Sequence, residues 1–156
     1  MKKLSALILT VAFSSLLTAQ EISDHAIGLR IGENDGIGTE ISYQKSIGSS
    51  NRLEVDLGWR NSNDIDAFKL TGIYQWVWNI DGGFNWYAGA GGGIGSWNGP
   101  KNTDGFFALV AGDIGIEYNF DFPLLVALDA RPEIGFSSDY NDDLEFDIAL
   151  SIRYQF

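Results

Sequence analysis

Ionisable side chains recur at every second position in several segments of this sequence. Glu54 and Asp56 are spaced in this way, and so are Asp129, Arg131 and Glu133. Residues two apart point to the same face of a β-strand, so these carboxylate and guanidinium groups would share one surface. Charges removed from water must be paired or stay hydrated, which makes such a surface a candidate ion-pair cluster or ion path.

We predict that these residues form a plug-like network of ion pairs and hydrogen bonds inside the fold, with Arg131 and Glu133 as central members. Pro132 between them lacks an N–H group, so a bulge or weakened pairing is expected in that strand. A narrow path for protons or ions is the alternative for the same side chains. The candidate lumen residues are Arg30, Glu40, Glu54, Asp56, Arg60, Lys69, Asp113, Glu117, Asp129, Arg131, Glu133, Glu145, Asp147 and Arg153.

Patterns typical of enzymes are weak in this chain. The only histidine, His25, adjoins Asp24 and Ser23, but this spacing does not form a nucleophile, base and acid arrangement. The glycine-rich run 89–95 carries Ile94 where a dinucleotide fingerprint needs glycine, and no phosphate-loop Lys-Ser/Thr follows. We therefore predict no enzyme and no cofactor. The small residues instead leave room for arginine and aromatic side chains from other strands.

The charge balance and the amino terminus limit the class of protein further. The formal net charge is −11, with 21 acidic against 10 basic residues, which argues against a nucleic-acid partner. The segment MKKLSALILTVAFSSLLTAQ has the basic start, apolar run and small-residue exit of a signal peptide. We predict that residues 1–19 are this signal, with cleavage near Ala19, and that residues 20–156 form one domain. The chain has no cysteine, so disulfides do not stabilise it.

The positions between the charged residues are apolar, so the segments that carry them read as β-strands. In LEFDIALSIRYQF, which ends at Phe156, every odd letter is apolar. Eight such segments predict an all-β fold, an eight-stranded antiparallel up-and-down transmembrane β-barrel. Short joins alternate with mostly longer, more polar ones, as expected for periplasmic turns and outer loops. The predicted strands are 26–32, 36–47, 52–61, 67–78, 84–97, 106–120, 124–136 and 144–156.

The height of the aromatic residues along the strands favours lipid outside the barrel. Aliphatic residues occupy the middle of the apolar face, and aromatic residues occupy its two ends, as in the interfacial belts of membrane proteins. The alternative is a soluble, lipocalin-like barrel with its apolar face inside. The predicted belts contain Tyr43, Trp76, Trp78, Trp86, Tyr118 and Phe120 at one end, and Trp59 and Trp97 at the other.

The chain ends in Tyr154-Gln155-Phe156, an aromatic-x-aromatic sequence. With the eight alternating segments, this ending resembles small eight-stranded outer-membrane β-barrel proteins, grouped as outer-membrane protein A-like or porin-family barrels. The resemblance implies that Tyr154 and Phe156 belong to the signal read by the barrel assembly machinery. It also implies the outer membrane of a Gram-negative-type cell. Ser151 stands where glycine is common in that family.

The expected function is that of a small integral outer-membrane barrel with a charged, largely plugged lumen and a structural, barrier or surface-interaction role. A narrow pore for ions or small solutes is the main alternative, and a soluble ligand-binding barrel is a lesser one. The expected partners are outer-membrane lipid and, during insertion, the assembly machinery. Oxygen-rich outer segments suggest contacts with divalent cations or lipopolysaccharide. They are Glu33–Asp35, Asn102–Asp104 and Ser138–Asp143.

Overall fold

The computed structural model describes residues 22–32, 38–61, 66–99, 103–136 and 144–156, so the predicted signal peptide lies outside the described residues. All eight predicted strands are present, and their ends lie within a few residues of the predicted ones. Among the described residues, no helix is long and apolar enough to cross a membrane. The strands are β1 (His25–Gly32), β2 (Thr39–Ser46), β3 (Asn51–Asn61), β4 (Asp66–Asp81), β5 (Phe84–Gly99), β6 (Thr103–Asn119), β7 (Leu124–Phe136) and β8 (Leu144–Gln155).

Each strand pairs antiparallel with its neighbours in chain order, and β1 also pairs with β8 to close the barrel. At this seam, the His25 N–H donates to the Phe156 carbonyl at 3.1 Å. The Phe156 N–H donates to the His25 carbonyl at 2.9 Å. Closure leaves the sheet without an unpaired edge, which a lipid environment requires because hydrocarbon offers no hydrogen-bond partners.

The two faces of the barrel wall differ in polarity, and the polar face is the interior. Ile148 is 60 % exposed, whereas the neighbouring Ala149 is 2 % exposed. Large aliphatic and aromatic side chains cover the exterior, while most of the buried side chains are polar or charged. The soluble, lipocalin-like alternative is therefore wrong, because that fold would bury its apolar face. An apolar exterior around a polar interior is the pattern of a transmembrane β-barrel.

The two ends of the barrel differ in their connections. The joins β2–β3, β4–β5 and β6–β7 lie at one end, here called the turn end, together with His25 and Phe156. The β4–β5 turn is Gly82-Gly83, and Gly82 has a φ of 53°, a left-handed conformation that favours glycine. The opposite end, here called the loop end, is where β1, β3, β5 and β7 end and where β2, β4, β6 and β8 begin. The joins 33–38 and 137–143 are longer than those at the turn end, as predicted, whereas the joins 62–65 and 100–102 are not, so the predicted alternation in length is confirmed at two of the four joins.

Pro132 interrupts the pairing between β6 and β7, as the sequence predicts. The partner pairs run to Ile114↔Ala130 and resume at Ala111↔Glu133 in the same register. Weakened pairing is thus confirmed. The alternative expectation of a bulge is wrong, because a bulge would shift the register.

Apolar side chains also occupy parts of the interior, and the group next to the glycine-rich stretch of β5 includes the largest ring. Ile73 from β4 and Phe107, Leu109 and Ala111 from β6 form a buried group, and Trp97 from β5 packs against it. We call these five residues the apolar cluster. It lies against the glycine-rich stretch of β5, where side chains from β4 and β6 occupy the space that larger residues would need.

Candidate functional site

The charged side of the lumen contains four arginines and one lysine, all buried, bound to carboxylates on other strands. Arg30 on β1 is bound to three of them. Its Nη1 lies 3.0 Å from Glu40 Oε2 and 2.6 Å from Asp147 Oδ2, and its Nη2 lies 2.5 Å from Asp129 Oδ1. Because these partners belong to β2, β8 and β7, one guanidinium group joins four strands around the seam.

Arg131 extends these contacts across the barrel. Its Nη2 lies 2.8 Å from Glu54 Oε1, and its Nη1 lies 2.9 Å from Asp56 Oδ2. Arg131 is on β7 and both acids are on β3, so the contact joins opposite walls of an eight-stranded ring. Arg153 on β8 adds a second link, with Nη2 3.0 Å from Glu54 Oε2 and Nε donating to Ser42 Oγ at 2.9 Å. These side chains occupy the central cross-section of the lumen.

Lys69 connects the charged side of the lumen with the wall that carries the apolar cluster. Its Nζ lies 3.1 Å from Glu133 on β7 and 3.6 Å from Glu40 on β2. Across the β4–β5 pair, Lys69 is opposite Gly95. The lysine chain therefore crosses from β4 to the carboxylates on the far wall. We call Arg30, Glu40, Glu54, Asp56, Lys69, Asp129, Arg131, Glu133, Asp147 and Arg153 the charged cluster.

Arg52 is buried in the interior, although it is not among the predicted lumen residues. Its Nη2 lies 2.6 Å from Glu117 Oε2, and its Nε donates to Gln75 Oε1 at 2.6 Å. Its guanidinium carbon lies 4.9 Å from the centre of the Tyr87 ring. A signal for it was present, because Arg52 has the same parity along β3 as Glu54. Its position at the predicted start of the strand obscured its facing.

Most of the other candidate lumen residues lie together in the interior, with two exceptions. Arg131 and Glu133 are both in the charged cluster, but each is bound to a partner on another strand. Glu145 is half-buried opposite Glu133, and none of the ion pairs between described side chains includes it. The Arg60 side chain lies outside the described part of the protein. Asp113 is buried, and its Oδ2 accepts a hydrogen bond from Gln75 Nε2 at 2.5 Å.

The predicted aromatic belts need one correction. Trp97 is not on the lipid-facing surface, because odd-numbered residues of β5 face inward and Trp97 packs against the apolar cluster. Trp59 remains on the exterior at the loop end, 54 % exposed. The other predicted belt residues lie on the exterior face at the turn end: Tyr43, Trp76, Trp78, Trp86, Tyr118 and Phe120.

Ring contacts link many of the aromatic residues at the turn end. Trp78 stacks on Trp86 with 4.4 Å between ring centres, and Tyr118 meets Phe120 edge-on at 4.8 Å. At the seam, the His25 ring lies 5.4 Å from Phe156, and His25 Nδ1 is 2.6 Å from the Tyr43 hydroxyl. His25 is thus part of an aromatic contact at the barrel rim, where its ring nitrogen forms a hydrogen bond with the Tyr43 hydroxyl.

Similarity to known proteins appears in the fold and not in the sequence. No protein-family model and no curated protein sequence matches the chain. The N-terminal β-barrel domain of Pseudomonas aeruginosa OprF matches with a TM-score of 0.73 and 13 % identity, over 88 % of this chain and 100 % of that one. The chain has the fold of small eight-stranded outer-membrane β-barrels.

Two further solved structures support the same fold. Neisserial surface protein A matches with a TM-score of 0.65 and 12 % identity, over 85 % of this chain and 94 % of that one. Ail, the attachment invasion locus protein of Yersinia pestis, matches with a TM-score of 0.55 and 16 % identity, over 86 % and 97 %. At these identities the likeness to the solved structures shows a shared architecture alone.

Proposed function

We propose that this protein is an integral outer-membrane barrel whose lumen is closed by ion pairs, with a structural or barrier role. The observation that carries the proposal is the contact of Arg131 on β7 with Glu54 and Asp56 on the opposite strand β3. Arg153 and Lys69 make further links between distant strands. Side chains that meet across the full width of a narrow barrel leave little room for a continuous water path.

Conductance in planar lipid bilayers tests closure. The purified, folded protein is expected to give no stable open steps. Arg131→Ala, which removes the central link, serves as the comparison, and it is expected to raise the frequency of current steps. Stable steps in the unchanged protein would contradict closure and support the narrow-pore alternative.

The narrow pore is kept as a second candidate because much of the lumen wall is polar. The buried side chains on this wall include more carboxylates than basic groups. A path along it would therefore pass cations in preference to anions. Reversal potentials measured under a salt gradient would distinguish this outcome from non-selective leakage around a poorly folded barrel.

Outer-membrane location and assembly are part of the same proposal. We propose that the chain is exported by the segment 1–19, is cleaved near Ala19 and is inserted by the assembly machinery through Tyr154 and Phe156. The exposed positions of both rings at the end of β8 support this assignment. Phe156→Ala should slow insertion in cells, seen as less heat-modifiable protein in the outer-membrane fraction. Phe136→Ala, an exposed phenylalanine at the loop end of β7, is the matched control.

Surface interaction at the loop end is the remaining part of the proposed role. The acidic outer segments suit divalent cations that bridge to lipopolysaccharide phosphates. Binding of the folded protein to lipopolysaccharide with calcium or with a chelator would test this, and equal binding in both conditions would oppose cation bridging. We propose no catalytic role, because the His25 ring is hydrogen-bonded to the Tyr43 hydroxyl and stacked on Phe156 as part of the aromatic rim.

A further inference from the structure

The described part of the lumen contains more acidic than basic side chains. Eight carboxylates and five basic groups are buried there, so the carboxylates are in excess. Removing unpaired charge from water is costly, so the folded barrel gains stability from any positive charge that enters. The buried carboxylates belong to Glu40, Glu54, Asp56, Asp113, Glu117, Asp129, Glu133 and Asp147.

Asp113 differs from the other buried carboxylates of the described residues, because each of the others has at least one ion pair. It is 5 % exposed, and no described lysine or arginine forms an ion pair with it. Its Oδ2 accepts one hydrogen bond from Gln75, while its Oδ1 has no donor among the described residues. By contrast, each oxygen of Glu54 is within 3.0 Å of an arginine nitrogen. Asp113 is therefore a buried acceptor with an unused oxygen.

The groups around Asp113 add to its negative surroundings. Gln75 Nε2 donates to Asp113 and also to Glu54 Oε2 at 3.2 Å, so one amide nitrogen separates two carboxylates. The charged or titratable side chains that face Asp113 are Glu54 from β3, Tyr87 from β5, and Asp129 and Arg131 from β7. The single cation among them, Arg131, is already bound to Glu54 and Asp56.

We propose that Asp113 binds a small monovalent cation from the medium, either a proton or an alkali-metal ion. No group of three or more acidic or histidine side chains among the described residues is arranged to hold a metal ion, so a multidentate divalent site is not supported. The proposal concerns the charge of the lumen, and it holds whether or not the lumen conducts. Conductance and cation binding therefore succeed or fail separately.

A bound proton would make folding depend on pH. If the folded barrel holds one proton that the unfolded chain releases, the unfolding constant rises up to about tenfold for each pH unit between the ordinary carboxyl range and the pH at which the folded barrel also releases this proton. Urea unfolding in lipid vesicles between about pH 5 and pH 8 would measure this slope. Asp113→Asn should lower the slope by one proton. The matched control Asp147→Asn also removes a buried carboxylate bound to Arg30, but Asp147 is not among the groups that face Asp113, so this variant should keep the wild-type slope.

A bound alkali-metal ion would give a different pattern. Replacing N-methylglucamine chloride with sodium or potassium chloride at constant ionic strength should lower the unfolding constant. Above the dissociation constant, the decrease would reach about tenfold for each tenfold rise in the ion. Asp113→Asn should remove this dependence, and the pH slope of the wild type would then be small.

Infrared spectroscopy of the unchanged protein completes the test, because it does not require the variant to fold. A carboxylic acid C=O band at neutral pH supports the proton. Its absence together with ion-specific stabilisation supports the metal ion. The proposal is overturned if the unchanged protein shows neither the band, the pH slope nor ion-specific stabilisation. It is also overturned if folded Asp113→Asn retains the wild-type dependence on pH and ions.

Discussion

The charged cluster and the apolar cluster occupy the same lumen but are stabilised in different ways. In the charged cluster, long side chains from distant strands meet through directional contacts, such as Arg131 with Glu54 at 2.8 Å. In the apolar cluster, Phe107 and its neighbours fit against glycines of β5 with no space for an added methyl group. The first region depends on charge pairing, and the second depends on shape.

The charged cluster and the apolar cluster also differ in the length of the strands that carry them. The strands β1 and β2 have 8 residues each, whereas β4 and β5 have 16 each and β6 has 17. The apolar cluster lies on these long strands, and glycines on β5 let β4 and β6 side chains share the interior. Arg30 and Glu40, in contrast, lie on the short strands and bind partners on β7, β8 and β4. A narrow barrel thus fills its lumen with long charged chains on one side and with bulky apolar chains over glycines on the other.

Removing Arg131 should produce the largest effect, because it leaves Glu54 and Asp56 without their common partner. We expect Arg131→Ala to lower the free energy of unfolding by about 3–5 kcal/mol, the cost of breaking a buried ion pair. Urea unfolding in vesicles measures the change. Exposed Lys45→Ala is the control and should stay within about 0.5 kcal/mol of the wild type. A loss of less than about 1 kcal/mol for Arg131→Ala would mean that the ion pairs contribute little.

On the outer face of β8, adding a charge should destabilise the barrel, whereas in the lumen removing a charge should do so. Ile148→Arg should cost about 2–4 kcal/mol if residue 148 meets hydrocarbon near mid-depth. The adjacent Ala149→Arg points inward, so lumen crowding and pairing determine its effect. Folding yield and unfolding in vesicles would separate the two variants. Equal tolerance of arginine at both positions would contradict the inside and outside assignment of β8.

A methyl group added in the apolar region tests whether shape controls that side. A Cβ at Gly95 would collide with the Phe107 ring and approach the Phe68 carbonyl, so Gly95→Ala should cost about 1–3 kcal/mol. Adding Phe107→Leu should recover part of this loss. Gly72→Ala is the matched control, since nothing lies within 4 Å of its Cβ, and it should be nearly neutral. Equal effects at Gly95 and Gly72 would contradict tight packing there.

The smallest effects are expected for two buried hydroxyl groups, one bonded to Arg153 of the charged cluster and one on β4 opposite Gly93. Ser42 Oγ accepts a hydrogen bond from Arg153 Nε at 2.9 Å, so Ser42→Ala should cost about 1–3 kcal/mol. Thr71 Oγ1 is buried without a hydrogen-bond partner among the described residues, so Thr71→Val should be neutral or slightly stabilising. Unfolding midpoints in urea would compare them, and a larger loss for Thr71→Val would reverse the assignment.

Strand number, facing and membrane character could be predicted from the sequence alone. Alternation with a period of two is a local property, so residues such as Ile148 and Ala149 show opposite facing directly in their order along β8. The turn end was also predictable, since Gly82-Gly83 is a local turn signal. The direction in which a side chain faces cannot be predicted where glycines hide the alternation. For this reason the sequence places Trp97 in the lipid-facing belt, although Trp97 packs inward.

The partners of the lumen residues were decided only by the tertiary structure. Arg131 and Glu133 are two residues apart on one strand, yet their partners lie on β3 and β4, because closure of the barrel brings distant walls together. The sequence determined which side chains face the lumen wherever polar and apolar residues visibly alternate, since facing follows from strand parity. Barrel closure and strand register determined which charges meet, because contacts across the lumen join residues that have no fixed spacing along the chain. They also left Asp113 without an ion pair among the described residues.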